Sequence, residues 1–108
     1  MTDLLAEIIV RIEDGSEALT PMVREGDRIS YDTVSDGQDE WIQVYTDWDE
    51  LREIPACTMS MPIRSIVEDA FESRRAEGII LNLNSEEVFI GKPELDWILY
   101  MLAQKEAC

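Results

Sequence analysis

Histidine is absent from the sequence, and glycine and cysteine are scarce. The 108 residues include no histidine, 5 glycines and 2 cysteines. Without histidine, Ser-His-Asp and Cys-His catalysis are excluded, and the commonest zinc ligand is missing. The glycine-rich motifs G-x-x-x-x-G-K-S/T and G-x-G-x-x-G, which cradle phosphates, do not occur. These absences predict a protein that is not an enzyme and that holds no metal or cofactor.

Basic residues are also few. The chain has 9 lysines and arginines against 24 acids, which gives a formal net charge of -15. Such a chain repels phosphate backbones and anionic membranes, so we expect neither nucleic acid nor membrane as a partner. A basic protein is the favoured partner. The alternative explanation of the charge is solubility alone.

Targeting and cross-linking signals are missing as well. Cys57 and Cys108 lie far apart and do not form a disulfide framework, so we expect reduced thiols. No run approaches the roughly 18 apolar residues of a membrane span. Asp3 and Glu7 flank the first apolar residues, which argues against a signal peptide. We therefore expect a cytoplasmic protein.

The length and the hydrophobic content, 45%, predict one globular domain over residues 1–108. Its first segment has an apolar residue at helical spacing in each turn and ends at Asp14-Gly15. The stripe consists of Leu4, Leu5, Ile8, Ile9 and Ile12. A strand over residues 7–13 is the competing interpretation, and the spacing favours the helix.

Three strands follow, over residues 18–23, 28–34 and 41–45. Turns at residues 25–27 and 35–39, the second around Asp36-Gly37, predict an antiparallel meander. Pro21 cannot donate to a strand ladder, so the first strand is predicted at a sheet edge or with a bulge.

The second half alternates helices and strands. Thr46 is predicted to cap a short helix that stops near Pro55, and a loop covers residues 56–61. Pro62 is predicted in the first turn of a helix, Gly78 is predicted to end that helix or the turn after it, and Pro93 opens the last helix. Two strands, residues 79–81 and 88–90, lie between these helices.

The predicted fold is therefore α+β, with the order α-βββ-αα-ββ-α. We expect a mixed or antiparallel sheet of about five strands, with helices packed mainly on one face. The predicted core comprises Ile42, Val44, Leu51, Ile66, Val67, Ala70, Ile79, Leu81, Val88, Ile98, Leu99 and Leu102.

Acids and aromatic residues cluster between residues 32 and 53. We predict that the acids form one exposed negative face beside Trp41 or Trp48, because this segment has a single base, Arg52. The acids of this face are Asp36, Asp39, Glu40, Asp47, Asp49, Glu50 and Glu53. The candidate partner-binding residues are Trp41, Asp47, Trp48, Asp49, Glu50 and Glu53. The alternative interpretation is a solvated acidic surface with tryptophans at the edge of the core.

Two segments resemble a known family. Residues 41–51, WIQVYTDWDEL, are similar to the y-L-P-v-F-T-s-x-e-E-L segment of the SseB-type N-terminal domain, and residues 78–86, GIILNLNSE, to its G-i-v-i-N-P-x-S-e segment. Gln43, Tyr45 and Leu83 depart from the usual proline, phenylalanine and proline. The resemblance spans about residues 18–102 and implies a bacterial cytosolic α+β domain. Its motif residues here are Tyr45, Thr46, Asn82 and Ser85, and their chemistry suits structural roles. Asn82 in particular suits a turn between two strands, because its side chain can bond nearby backbone.

Three hypotheses for the function follow. The first is a non-catalytic protein-interaction or regulatory module of the SseB-like type. The second is an immunity-type or nucleic-acid-mimicking inhibitor that blocks a basic toxin or nuclease with its acids. The third is a small hydrolase built on paired carboxylates.

Overall fold

The computed structural model describes residues 2–49, 57–82 and 87–107. Within these ranges it contains three helices and seven strands. The helices are α1 (Thr2–Glu13), α2 (Ile63–Glu72) and α3 (Lys92–Glu106). The strands are β1 (Glu17–Glu25), β2 (Arg28–Tyr31), β3 (Thr33–Ser35), β4 (Glu40–Val44), β5 (Thr58–Pro62), β6 (Ala76–Leu81) and β7 (Val88–Gly91). The predicted α+β class is confirmed.

Helix α1 confirms the helical interpretation of the first segment. Its apolar stripe is buried, and it ends in a Schellman motif, in which the N–H of Ser16 donates to the Arg11 carbonyl at 2.9 Å. The N–H of Gly15 donates to the Ile12 carbonyl at 3.0 Å, and Gly15 has a φ of 75°. A glycine adopts this left-handed conformation without steric cost.

The strands form two sheets, where the sequence predicted one of about five strands. The orders are β2-β1-β5 and β3-β4-β6-β7. The sheets meet at an antiparallel bridge, in which Leu19 and Tyr45 exchange two backbone hydrogen bonds of 2.8 Å. The hydroxyl of Thr20 adds a bond of 2.8 Å to the Gln43 carbonyl.

The prediction for Pro21 is wrong, and so is the predicted loop over residues 58–61, whereas position 56 lies outside the described residues. Strand β1 is the central strand of the three-stranded sheet, and residues 58–61 belong to β5, its antiparallel neighbour. Pro21 is tolerated because each half of β1 has its own partner: residues 17–21 pair with β5 and residues 22–25 with β2. The proline, which has no N–H, lies where the pairing changes.

The predicted strand over residues 28–34 is divided between the two sheets. At Asp32, the backbone N–H donates to the Pro21 carbonyl at 3.0 Å, and the carbonyl accepts from the N–H of Gln43. The chain therefore leaves β1 and joins β4 at this residue. The meander is interrupted there, and β4 continues the four-stranded sheet by pairing in parallel with β6.

The helices pack together on one face of the four-stranded sheet, as predicted. Eight of the predicted core residues are buried: Ile42, Val44, Ile66, Val67, Ala70, Ile79, Ile98 and Leu102. Leu81, Val88 and Leu99 are only half-buried against this core, and position 51 falls in a part of the chain that is not described. The fully buried Leu95 of α3 was missed.

Helix boundaries bring further corrections. Residues 46–49 form a bend and a turn, and the rest of the helix predicted after Thr46 falls outside the described ranges. Pro62 ends β5, so α2 begins one residue later. Gly78 lies inside β6, because the Ser73 hydroxyl has already turned the chain after α2 by accepting from the N–H of Ala76 at 3.0 Å.

Candidate functional site

The four-stranded sheet has an inner face under the helices and an opposite, outer face. Ile42 and Val44 of β4 belong to the core with the helices, and side chains alternate along a strand. Trp41 and Gln43 therefore lie on the outer face. The register places Val34 of β3 beside Trp41, and Ile80 of β6 beside Gln43.

An aromatic pair dominates this outer face. Phe89 of β7 is paired with Ile80, and its ring centroid lies 4.9 Å from that of Trp41 in an edge-to-face arrangement of 74°. Phe89 is 37% exposed and Trp41 is half-buried, while Ile80 beside them is fully buried. We call Val34, Trp41, Ile80 and Phe89 the aromatic face.

Two glycines allow the rings to meet. Gly78 lies opposite Trp41 in β6 and is paired with Gly91 in β7. A Cβ atom on Gly78 would lie 2.1 Å from the Ile90 carbonyl oxygen. A strand glycine often marks such a close approach of two backbones. Because Gly78 of β6 has no side chain, the Trp41 ring of β4 and the Phe89 ring of β7 can make contact across it.

The β3–β4 turn holds the Trp41 side chain at the amino end of β4. The Asp36 carboxylate accepts from the N–H groups of Asp39 at 2.8 Å and Gln38 at 2.9 Å, and from the Trp41 indole at 3.0 Å. These bonds, the one from Asp39 first, hold the pKa of Asp36 below its usual value. Gly37 takes a φ of 103° and completes the predicted turn.

Carboxylates surround this edge of the aromatic face. Asp36 and Asp39 are exposed, and Glu40 is half-buried. Glu40 accepts from the Thr33 hydroxyl at 3.2 Å and lies 3.8 Å from the guanidinium of Arg75, whose side chain is 75% exposed. An exposed ion pair of this length contributes little. The carboxylates of the turn therefore produce a negative electrostatic potential beside the Trp41 and Phe89 rings.

Polar groups continue the outer face beyond the rings. The Tyr45 hydroxyl donates to the Gln43 side chain at 3.0 Å, and Gln43 donates to the Asp32 carboxylate at 3.3 Å. Tyr45 is buried against Leu19, and this burial, together with the charge of Asp32, raises its pKa. Tyr45 is a hydrogen-bonded neutral phenol that joins the two sheets.

The predicted acidic face is divided in two. Asp47, Trp48 and Asp49 are exposed in the turn beyond the carboxyl end of β4, with Trp48 54% exposed, whereas Trp41 and the hairpin acids lie at its amino end. A strand of this length separates the two groups by about 16 Å. Glu50 and Glu53 lie outside the described residues.

Of the motif residues named in the sequence analysis, Tyr45, Thr46 and Asn82 form hydrogen bonds in the structure. Thr46 and Asn82 follow β4 and β6, at the carboxyl ends of the parallel pair. The Asn82 side-chain oxygen accepts from the Thr46 N–H at 3.1 Å and from its hydroxyl at 3.4 Å, and the Asn82 N–H donates to the Val44 carbonyl at 2.8 Å. Asn82 is buried with a φ of 53°. Ser85 lies outside the described residues.

Sequence reasoning missed Phe89. The alternation of Val88, Phe89 and Ile90 places one large aromatic on the face opposite to its neighbours, and that pattern was visible. Its contact with Trp41 was not, because it depends on β6 lying between β4 and β7. In the part of the chain that the structure describes, no group of three potential metal ligands comes together, and no helix is long and apolar enough to cross a membrane.

Comparison of the chain with protein-family models, with curated proteins and with solved structures finds no match. The site is therefore interpreted from its own geometry.

Proposed function

We propose that this chain is a non-catalytic protein-interaction or regulatory module, of the SseB-like type that its motifs suggest, and that it acts in the cytoplasm. The aromatic face is its docking surface, and a basic protein is its partner. The observation that carries the proposal is the Trp41–Phe89 pair, which lies on the sheet face opposite the helices and beside the carboxylates of the β3–β4 turn.

The aromatic face has the composition of a binding hot spot. Tryptophan anchors at the centre of an interface carry a large share of its energy, with acids and water at the rim. Trp41 is held by its bond to Asp36 and by the edge of Phe89, so little side-chain freedom is lost when a partner covers it. Preorganisation of this kind favours binding.

The charge of the chain selects the partner. The net charge of -15 attracts basic proteins over several ångströms and repels acidic ones. The partner should therefore present apolar side chains to the rings and lysines or arginines to Asp36 and Asp39. Salt should weaken the complex, because it screens exposed charges over roughly 10 Å at 0.1 M.

Site-specific photocrosslinking tests the proposal. In one variant a benzophenone amino acid replaces Phe89 on the aromatic face. In the control variant it replaces Trp97, which has the same 37% exposure but lies on α3. After irradiation in an extract of the source cells, position 89 should yield crosslinks to one or a few basic proteins that position 97 does not yield. Equal products at both positions, or products without basic character, would contradict the proposal. A nuclease or toxin as the crosslinked protein would select the inhibitor hypothesis.

A further inference from the structure

A cavity of about 220 Å³ lies between the three helices and the strands that they cover. Aliphatic side chains from every layer line it, including Ile8 of α1, Ala18 of β1, Val67 of α2, Ile79 of β6 and Ile98 of α3. Protein interiors are close-packed, with few voids larger than a water molecule. A cavity of this size at the junction of three helices and a sheet is therefore unusual, and a bound ligand would explain it.

The cavity has a polar end. Thr46 and Asn82 line it at the carboxyl ends of β4 and β6, and α1 adds Glu7 and Arg11. Ligands in open sheets bind outside the carboxyl ends of parallel strands, which is where Thr46 and Asn82 lie. Glu7 and Arg11 are exposed side chains, so the cavity reaches the protein surface beside α1.

The size of the cavity sets the size of the ligand. A dry cavity of 150 Å³ lined by apolar side chains binds benzene, so 220 Å³ accommodates about nine non-hydrogen atoms by proportion, enough for eight carbons and a small head group. The aliphatic side chains that form most of the described lining select a hydrocarbon chain, because they offer no hydrogen bond to a buried polar group.

The polar end sets the head group. Its one acid and one base, Glu7 and Arg11, form an ion pair of 3.2 Å and cancel each other. The net charge of -15 opposes an anionic head, while the Thr46 hydroxyl and the Asn82 side chain offer neutral hydrogen-bonding groups. We propose that this cavity binds a neutral aliphatic molecule of about eight carbons that carries a hydroxyl or amide head.

Titration of the full chain with 1-octanol tests the proposal. Two-dimensional 15N NMR should show saturable shifts of amides around Ile79, Ile98 and Asn82, with NOEs between the octanol chain and the lining methyl groups. Octanoate, at a pH where it is ionised, should bind at least about tenfold more weakly, a difference of about 1.4 kcal/mol. Failure of octanol to saturate, or NOEs confined to Trp41 and Phe89, would overturn the site. Equal binding of octanoate would overturn the neutral head group.

A matched pair of variants separates the cavity from ordinary core packing. Ala18 and Ala70 are both buried, but only Ala18 lines the cavity. Ala18→Leu should fill the space, abolish octanol binding and leave the melting temperature equal or higher. Ala70→Leu should lower the melting temperature and keep octanol binding, because extra volume in a packed site causes strain.

The opposite pattern would overturn the inference. A fall in melting temperature for Ala18→Leu as large as for Ala70→Leu would show that no usable space exists. Unchanged octanol affinity in a folded Ala18→Leu protein would place the ligand elsewhere. Val67→Leu, which adds one methylene to the same cavity from α2, provides a second variant if either alanine substitution prevents folding.

Discussion

Asn82 connects the sequence motif to the fold at the scale of a single residue. It takes a left-handed φ of 53°, a conformation in which asparagine is enriched, and its side chain holds the end of β4 through Thr46. Its N–H and carbonyl also bond to Val44 and to Glu87. The sequence predicted a turn asparagine that bonds nearby backbone. Its side-chain partner instead lies 36 residues away, across the parallel pair.

Glycine substitutions at Asn82 and Glu87, which both have a left-handed φ, measure how much the Asn82 side chain contributes to the free energy of unfolding. Asn82→Gly keeps the backbone conformation but leaves the Thr46 N–H without this acceptor, so the free energy of unfolding should fall by about 1–2 kcal/mol. Glu87→Gly, at a φ of 50°, only relieves backbone strain and should leave stability unchanged or higher by up to about 1 kcal/mol. Urea denaturation measures both, and equal losses would show that Asn82 acts through its backbone alone.

Asp36 makes stability depend on pH at the β3–β4 turn. Its pKa is lower in the folded protein than its usual value, so its contribution to stability is present above the usual carboxyl pKa and is lost as pH falls through the folded pKa. Asp36→Asn should therefore lower the melting temperature near pH 6 and converge with the parent protein in strong acid. Asp39→Asn makes the same change of charge in the same turn. If the two variants trace the same pH curve, the hydrogen bonds to Asp36 are not the cause.

The elements show why part of the fold was predictable. Helix α1 and the β3–β4 hairpin are local structures, read from the spacing of Ile8, Ile9 and Ile12 and from Asp36-Gly37. Strand β5 has the sequence TMSMP, whose alternation is too short and too poor in branched and aromatic residues to predict a strand, and it forms because β1 offers it a partner. The parallel β4–β6 pair joins segments more than thirty residues apart in sequence, such as Trp41 and Gly78, so no local pattern reveals it.

The close approach of β6 and β7 makes a prediction at the element scale. Gly78→Ala would put a Cβ atom 2.1 Å from the Ile90 carbonyl oxygen, so the strands must separate, at a cost of about 3 kcal/mol or more. Gly91→Ala meets the flexible Glu94 side chain at 3.2 Å and Pro93 Cδ at 3.6 Å, an ordinary van der Waals distance, and should cost much less. Thermal unfolding of both variants checks this. A Gly78→Ala protein as stable as Gly91→Ala would contradict the register of the two strands.

At the scale of the whole molecule, the charge and the fold together define the surface. The helices and the core occupy the inner face of the four-stranded sheet, and the aromatic face lies on the other side, with the hairpin acids at its edge. The sequence predicted acids beside Trp41 or Trp48 but placed them on one face. Among the described residues, these acids lie in two groups at opposite ends of β4, and Trp41 gains a second aromatic ring, Phe89.

Capture on immobilised protein tests the central claim most directly. Parent protein, Trp41→Ala and Trp48→Ala are compared in the same extract of the source cells, after circular dichroism has shown that each is folded; Phe89→Ser replaces Trp41→Ala if that variant unfolds. The account predicts that the parent and Trp48→Ala retain the same basic proteins. Trp41→Ala should retain at least tenfold less of them, a difference of about 1.4 kcal/mol in binding free energy. Added salt should release them from the parent. Retention by Trp41→Ala at the level of the parent, with Trp48→Ala losing the same proteins, would contradict it.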